Sequence, residues 1–385
     1  ELKWRGFWNQ TTFTDANLID KENFTLYLGT DPSGNSLHVG HLAVYMMVRR
    51  FLDRGHKVVL LVGGGTGMIG DMRDTEEREL KSLEIIKENK NALASQVSKL
   101  FAGQDFTLVD NNEWLKDVKL IPFLRDIGKK FNMADLTGRE FFKARIKAGG
   151  GLSFAEFTYT LLQGYDYLHL HKELGVNLQI GGSDQWGNLL SGVELIRKKE
   201  GKEVYAMTSP LVVNKSTGRK FGKSEGGNAV WLDPNQTSPY KFYQFWLNSD
   251  DESVFDHLKL FTTLDKEEID GLESEHKKAP HLRIAQKKLA AEVTKLVHGE
   301  TALKNVIKAT DVLFGKANIL DLSNEELEIL AAEIPTFSSP ISVSEALINA
   351  GIAKSKGEIK RLIEGNSISV NSEKISEDMI LEQTS

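Results

Sequence analysis

Tyr27-Leu-Gly-Thr-Asp-Pro-Ser-Gly-Asn-Ser-Leu-His-Val-Gly-His-Leu42 is the stretch whose reading decides the fold. The apolar run Phe24–Leu28 that leads into it reads as a buried parallel strand. A polar turn of Gly29, Asp31, Pro32, Ser33, Gly34 and Asn35 follows. Ser36 is then placed to cap a helix that runs through Leu42, Met46 and Phe51 to a stop at Gly55. Strand, turn and helix N-terminus together predict an anion site, because backbone N–H groups and the positive helix end face whatever lies beyond the strand. His38 and His41 fall at i and i+3 and share a face. Gly40 between them lets a ligand approach the backbone. Alone, the pattern also fits an ordinary strand-to-helix turn with two surface histidines.

Working outward, Val58–Val62 is an all-apolar run and reads as a second buried parallel strand. It feeds Gly63-Gly-Gly-Thr-Gly-Met-Ile-Gly-Asp71, in which Gly65, Gly67 and Gly70 have the spacing of a dinucleotide fingerprint. That fingerprint belongs in a first strand–helix turn, and here it follows the second strand. A carboxylate at Asp71 suits a ligand ammonium better than a pyrophosphate. Thr75–Phe101 reads as a long helix, Phe106–Asp110 as a short strand, and Trp114–Ile127 and Arg139–Ala148 as helical pieces before the break Gly149-Gly150-Gly151. Phe154–Leu170 is an amphipathic helix whose Tyr159, Gln163 and Asp166 line one face. A buried Asp there requires a donor. Val176–Ile180 is another buried strand, ending in Gly181-Gly182. Alternating strands and helices predict an α/β fold, a Rossmann-like doubly wound parallel sheet with ligands outside the strand carboxyl ends.

A third stretch, Lys220-Phe-Gly-Lys-Ser224, places two lysines three apart in a polar, Gly-rich loop expected to be mobile over 214–228. Paired with the His-Val-Gly-His turn, it resembles the two signature motifs of class I aminoacyl-tRNA synthetases. Tyr27, the run Gly181-Gly-Ser-Asp-Gln-Trp-Gly-Asn188, and Tyr159, Gln163 and Asp166 are closer still to the bacterial tyrosyl-tRNA synthetase family, and the similarity covers nearly the whole chain.

The resemblance implies activation of L-tyrosine by ATP to an acyl-adenylate, then transfer to the 3′-terminal adenosine of tRNA(Tyr). It implies catalytic roles for Ser33, His38, His41, Lys220, Lys223 and Ser224. Tyrosine would be held by Tyr27, Gly29, Asp71, Tyr159, Gln163, Asp166 and Gln179, with Tyr27 and Asp166 on the phenol. ATP would meet Asp31, Gly40, Gly182, Asp184, Gln185, Leu211 and Lys223. Trp186, Arg197 and Lys198 would face tRNA. Three departures stand out: Leu28 where the family often has a small polar residue, Ser33 for a threonine, and Phe221-Gly222 for Met-Ser. None removes a charge. Mg2+ is expected to accompany ATP, with no dedicated carboxylate cage, and a homodimer is expected from the family.

With 385 residues the chain can hold two or three domains. Its 40% hydrophobic and 26% charged content is that of an ordinary soluble protein. The absence of cysteine excludes disulfides and Cys-ligated zinc, and no apolar run approaches a membrane span. A cytoplasmic enzyme is expected. A net charge of −6 means RNA must be met by local basic patches. The expected domains are a catalytic one at 1–238, a helical, anticodon-side one at 239–336, and a small α+β module at 337–385. That module's basic cluster, Lys354, Lys356, Lys360 and Arg361, resembles the C-terminal alpha-L RNA-binding module of the family, without its last strands. Three rivals remain. A tryptophanyl-tRNA synthetase is disfavoured by Asp166 facing Tyr27. A small nucleotidylyltransferase is disfavoured by the domains after 240. A non-enzymatic RNA-binding protein is disfavoured by the intact His38, His41, Lys220 and Lys223.

Overall fold

Lys57–Val62 is strand β2, and its five apolar residues are buried, as a run flanked by strands and covered on both faces must be. It pairs in parallel with β1, Thr25–Thr30, in a register that sets Tyr27 beside Val59. On the far side of β1 lies β4, Leu178–Gly182, with Gln179 beside Tyr27. With β3, Thr107–Asp110, and β5, Tyr205–Ser209, the sheet order is β3-β2-β1-β4-β5, all parallel. The chain order reverses between β1 and β4, which is where a doubly wound sheet opens a crevice at its strand carboxyl ends.

The structure is a computed structural model and describes all residues except 73–79, 140–141, 144, 146–151, 214, 216–217, 219–228, 372 and 383–385. The long helices of the sheet region, among the described residues, are α1, Val39–Leu52; α2, Leu83–Leu100; α3, Phe154–Leu174; and α4, Trp186–Glu200. Gly175, at φ +67°, ends α3 in the left-handed cap that glycine adopts without strain. The core gathers Tyr27, Val59 and Leu61 from the sheet with Phe157, Leu161, Tyr167 and Leu168 from α3 and Leu195 and Ile196 from α4.

Most expected elements are present with shifted ends. The helical reading of Trp114–Ile127 resolves into Asn112–Leu115 and Leu120–Asp126. The expected helix Arg139–Ala148 falls largely, and Gly149–Gly151 wholly, outside the described residues, as does the start of the expected Thr75–Phe101 helix. Strand β5 and helix α4 carry no expectation from sequence. The glycine run after β2 forms a single 3-10 turn, Thr66–Met68, and opens no dinucleotide-type helix. Its glycines make room for carboxylates: a Cβ on Gly63 would lie 2.1 Å from Asp31 Oδ1, and one on Gly64 2.3 Å from Asp110 Oδ1.

The described chain divides into two compact units, residues 1–297 and 298–385. In the first, helices Pro239–Leu247, Val254–Phe261, Lys266–His276 and most of Ile284–His298 follow the sheet. Within this unit, buried Arg5 and Arg50 tie its N-terminal part to these helices, donating to the carbonyls of Lys259, Leu264 and Thr262 at 2.7–3.1 Å. The second unit holds helices Glu300–Leu313 and Asn324–Ala331, bridged by Lys308 and Glu326 at 2.8 Å. Its end is a small module: helices Val343–Asn349 and Lys356–Glu364, and two antiparallel pairs, Ile341–Ser342 with Ile380–Leu381 and Ser369–Val370 with Glu373–Lys374. Ala353, Ile359 and Ile363 form its core.

Candidate active site

Tyr27 on β1, Tyr159, Gln163 and Asp166 on α3, and Gln179 on β4 line one cavity at the switch point, together with Gly29, Asp31, Thr66 and Gln185. The i, i+4, i+7 spacing on α3 thus brings its three polar side chains to one space, as the sequence predicts. Asp31 and Gln185, expected on the ATP side, line this same cavity.

Asp166 is 2% exposed, and its two oxygens accept from Asn111 Nδ2 at 2.9 Å and Trp114 Nε1 at 2.8 Å. Burial pushes its carboxyl up to about 7, against the lowering effect of those two bonds. Each oxygen retains a lone pair for a ligand donor. Burial, then the Asp166 charge, drives the Tyr27 phenol well above 10. Burial and the Asp31 carboxylate do the same to Tyr159, whose hydroxyl donates to Asp31 Oδ2 at 2.9 Å. Asp31 Oδ1 accepts from Thr66 at 2.7 Å. Tyr27 Oη, Gln163 Oε1 and Gln179 Oε1 are buried with no hydrogen-bond partner among the described residues. A buried polar atom left so costs about 1–3 kcal/mol. Three of them lining one cavity are the mark of a site that a polar ligand completes.

Asp71 accepts from Gln185 Nε2 at 2.8 Å and from Asn188 Nδ2 at 3.3 Å. Gln185 therefore links the Asp71 carboxylate to the cavity it lines. Asp184, in the turn Ser183–Gln185, is exposed, and a Cβ on Gly182 would lie 2.5 Å from its Oδ1.

The histidine turn differs from its expectation in two respects. Ser36 is not the cap of α1. Its hydroxyl donates to the Leu37 carbonyl at 2.7 Å, while the chain stays extended through His38, at φ −125° and ψ 171°. The cap is His38 itself, whose Nδ1 accepts the Gly40 N–H at 3.0 Å; His41 Nδ1 in turn accepts the His38 N–H at 3.2 Å. The helix start also keeps its amides for the protein. Val39 N–H bonds the Val230 carbonyl, and the His41 and Leu42 N–H groups bond the His38 carbonyl. An anion here must be met by the imidazoles. Because each Nδ1 accepts, each neutral ring carries its proton on Nε2 as a donor. The rings stack at 3.8 Å, and burial together with His38 pushes His41 down to about 3. Gly40 serves this cap: a Cβ there would lie 2.8 Å from His38 Cε1.

Ser33 is exposed, and its carbonyl accepts from Lys81 Nζ at 2.5 Å. Leu211 is exposed. Trp186 is half-buried at the start of α4; Arg197 and Lys198 are exposed at its end, Lys198 donating to the Lys130 carbonyl at 2.9 Å. Lys354, Lys356, Lys360 and Arg361 are exposed in the C-terminal module, on or beside a helix whose Ile359 and Ile363 are buried. Lys220, Lys223 and Ser224 lie outside the described residues. Among the described residues, no three His, Asp or Glu side chains are placed to hold a metal ion.

Sequence reasoning missed Asn111, Trp114, Asn188 and Lys81. Asn111 had a signal: it follows Asp110 at the carboxyl end of β3, where ligand-side polar residues collect. Asn188 ends the Gly181–Asn188 run that carries the resemblance, whereas Trp114 and Lys81 are long-range partners with no local signature.

A family described as tRNA synthetases class I (W and Y) matches residues 20–315. Tyrosine–tRNA ligase of Limosilactobacillus fermentum is 46% identical over 98% of this chain and 91% of its own. The Staphylococcus epidermidis protein of the same name is also 46% identical, over 97% and 90%. Among solved structures, a C-terminally truncated Aspergillus nidulans mitochondrial tyrosyl-tRNA synthetase superposes with a TM-score of 0.73 at 31% identity, covering 81% of this chain and 93% of that one. Tryptophanyl-tRNA synthetase of Plasmodium falciparum shares the fold, with a TM-score of 0.56 at 16% identity over 86% and 87%.

Proposed function

The chain belongs to the class I tRNA synthetases of the W and Y type, and from that membership we propose how its residues carry the reaction. Its activity is the ligation of tyrosine to tRNA, driven by ATP. In the first step a tyrosine carboxylate oxygen attacks the α-phosphorus, the bond from that phosphorus to its bridging oxygen breaks, and pyrophosphate leaves with the electron pair. In the second step a ribose hydroxyl of the tRNA 3′-terminal adenosine attacks the acyl carbon and AMP leaves. A carboxylate is already a nucleophile, so the residues position it and meet developing charge on phosphate oxygens.

The observation that carries the assignment is the cavity, in which a buried carboxylate and three unpartnered polar atoms face one space. The phenol hydroxyl donates to Asp166 and accepts from Tyr27. The α-ammonium is taken by Gln163, Gln179 and Tyr159, with Asp71 supplying charge through the Gln185 side. Gly29 keeps the strand end low beneath the substrate. Phenylalanine would leave the Tyr27 hydroxyl unpaired and bring no donor to Asp166, and an indole has no hydroxyl to set between them.

His38 and His41 direct their Nε2–H donors to the phosphates. Gly40, Gly182, Asp184 and Leu211 lie on the nucleoside side, with Asp184 accepting from the ribose. Lys220, Lys223 and Ser224 are assigned to the departing pyrophosphate by family pattern. Lys81, held on the Ser33 carbonyl, is a further cation on this side. Magnesium arrives with ATP as part of the substrate.

tRNA contact is assigned to Trp186, Arg197 and Lys198 and to the separate cluster Lys354, Lys356, Lys360 and Arg361. The working division is catalysis in 1–238, an anticodon-side helical domain in 239–336, and RNA binding in 337–385. A second copy of this chain is the proposed partner of the apolar residues Ile121, Met133 and Phe154, which are 58–72% exposed. No helix among the described residues is long and apolar enough to cross a membrane, and the reaction is placed in the cytoplasm.

The test is pyrophosphate exchange into ATP by the full chain with tyrosine, phenylalanine or tryptophan. Exchange with tyrosine alone supports the assignment. Exchange indifferent to the amino acid, or greatest with tryptophan, overturns it.

A further inference from the structure

We propose that Gln96, on α2, is a positioning residue for the His38–His41 turn. Its Oε1 accepts the Leu37 N–H at 2.8 Å, and its Nε2 donates to Ser36 Oγ at 3.2 Å. Leu37 is the residue before the His38 cap, so one amide side chain fixes the backbone at the point from which the imidazole is launched. The same Ser36 hydroxyl accepts the Asp233 N–H at 3.1 Å. The Leu37 carbonyl accepts from Leu232 N–H at 2.9 Å, and Val39 N–H reaches the Val230 carbonyl at 3.0 Å. Residues 36–39 are thereby held between two elements, α2 on one side and the segment 230–233 on the other. Trp231 completes the arrangement, bridging His38 along the backbone and presenting its ring edge to ring at 5.9 Å.

The physical argument is one of rigidity. His38 Nδ1 is committed to Gly40 N–H, so the direction of Nε2 follows the backbone at Leu37 and His38 directly. Without Gln96, the Leu37 amide has no acceptor from α2 and the entry to the helix can tilt. Catalytic geometry is sensitive to such shifts on the scale of an ångström. Tyr27, Asp166, Gln163 and Gln179 stand on other elements and take no bond from Gln96, so tyrosine binding is untouched.

This rests on the tyrosine-activation reading, and the test separates the two. Gln96→Met keeps side-chain length and removes both polar ends. In tyrosine-dependent pyrophosphate exchange, kcat should fall about ten-fold, or about 1.4 kcal/mol in the barrier, with the tyrosine Kd and the melting temperature close to those of the parent. Ser36→Ala, which removes the other end of the network, should show the same split, and it decides the matter if the methionine variant does not fold. An unchanged kcat, or a parallel loss of kcat and tyrosine affinity, overturns the role of Gln96. A parent chain without tyrosine-dependent exchange would instead sink the reading on which it rests.

Discussion

Tyr27 on β1 keeps its hydroxyl buried and unbonded among the described residues, whereas His38, in the turn after the same strand, has its Nδ1 taken by Gly40. The cavity holds polar atoms with no partner among the described residues, which the proposed reading gives to the amino acid. The turn has already matched its amides and its Nδ1 atoms within the protein, which fixes the direction of both imidazoles. One region is tuned for recognition: leaving any of its atoms unpaired is costly, so a ligand without the matching group is rejected. The other is tuned for orientation, since charge that develops only during reaction is best met by donors that cannot turn away. Damage to the two should therefore appear in different constants.

The largest effect is expected from Asp166→Asn. The amide would turn an N–H toward Asn111 or Trp114, both already donors, and lose the charge that accepts the phenol. Activation efficiency for tyrosine should fall about 100-fold or more, from a loss of about 3 kcal/mol, with the KM for ATP unchanged in steady-state exchange. An equal rise in both KM values would erase the contrast between the regions.

Gly40→Ala addresses the other side. Its Cβ would meet His38 Cε1 at 2.8 Å, so the ring must move. A kcat loss of about 30-fold is expected from misplacing one donor, with tyrosine affinity intact. Rapid-mixing measurement of adenylate formation checks it. A smaller change, about five-fold in the tyrosine Kd, is expected for Trp114→Phe, which leaves Asp166 with the Asn111 bond alone. The Trp114 bond that is lost lowers the Asp166 pKa, so the variant's binding profile should shift to higher pH.

The smallest effect is on stability against pH. Asp166 titrates near 7 in the folded chain and at 3.8 when unfolded, so between these values the folded state holds a proton that the unfolded state has lost. Its contribution is present below 3.8 and is lost as pH rises to about 7. His41, about 3 when folded against 6.5, acts in the opposite sense: its contribution is present above 6.5 and is lost as pH falls toward 3. The two slopes oppose each other between pH 4 and 6.5. In urea titrations Asp166→Asn should make stability rise more steeply with pH across that window. The same slope in parent and variant would refute the linkage.

Much of this was legible in the sequence, and particular residues show why. The Val58–Val62 run and the i, i+4, i+7 face of Tyr159, Gln163 and Asp166 are periodic signals, and they gave β2 and the cavity wall. The need for a donor to Asp166 followed from burial, but its identity did not, because Asn111 and Trp114 approach from another element. Strand β5, Tyr-Ala-Met-Thr-Ser, is buried along most of its length yet mixes apolar and hydroxyl residues, so it has no continuous apolar run to mark it. The cap of α1 was misplaced by two residues because Ser36 is the better cap by residue type, whereas the extended backbone at His38 and its ring nitrogen decide the matter in three dimensions.

The central claim is that recognition and orientation are built into separate regions, and equilibrium binding of L-tyrosine without ATP tests it most directly. Calorimetric titration of the parent, Asp166→Asn and Gly40→Ala with tyrosine should show affinity lost in Asp166→Asn and kept within about two-fold in Gly40→Ala, since only the former removes a buried hydrogen-bond partner of the ligand. Equal loss of tyrosine binding in both variants would contradict the account.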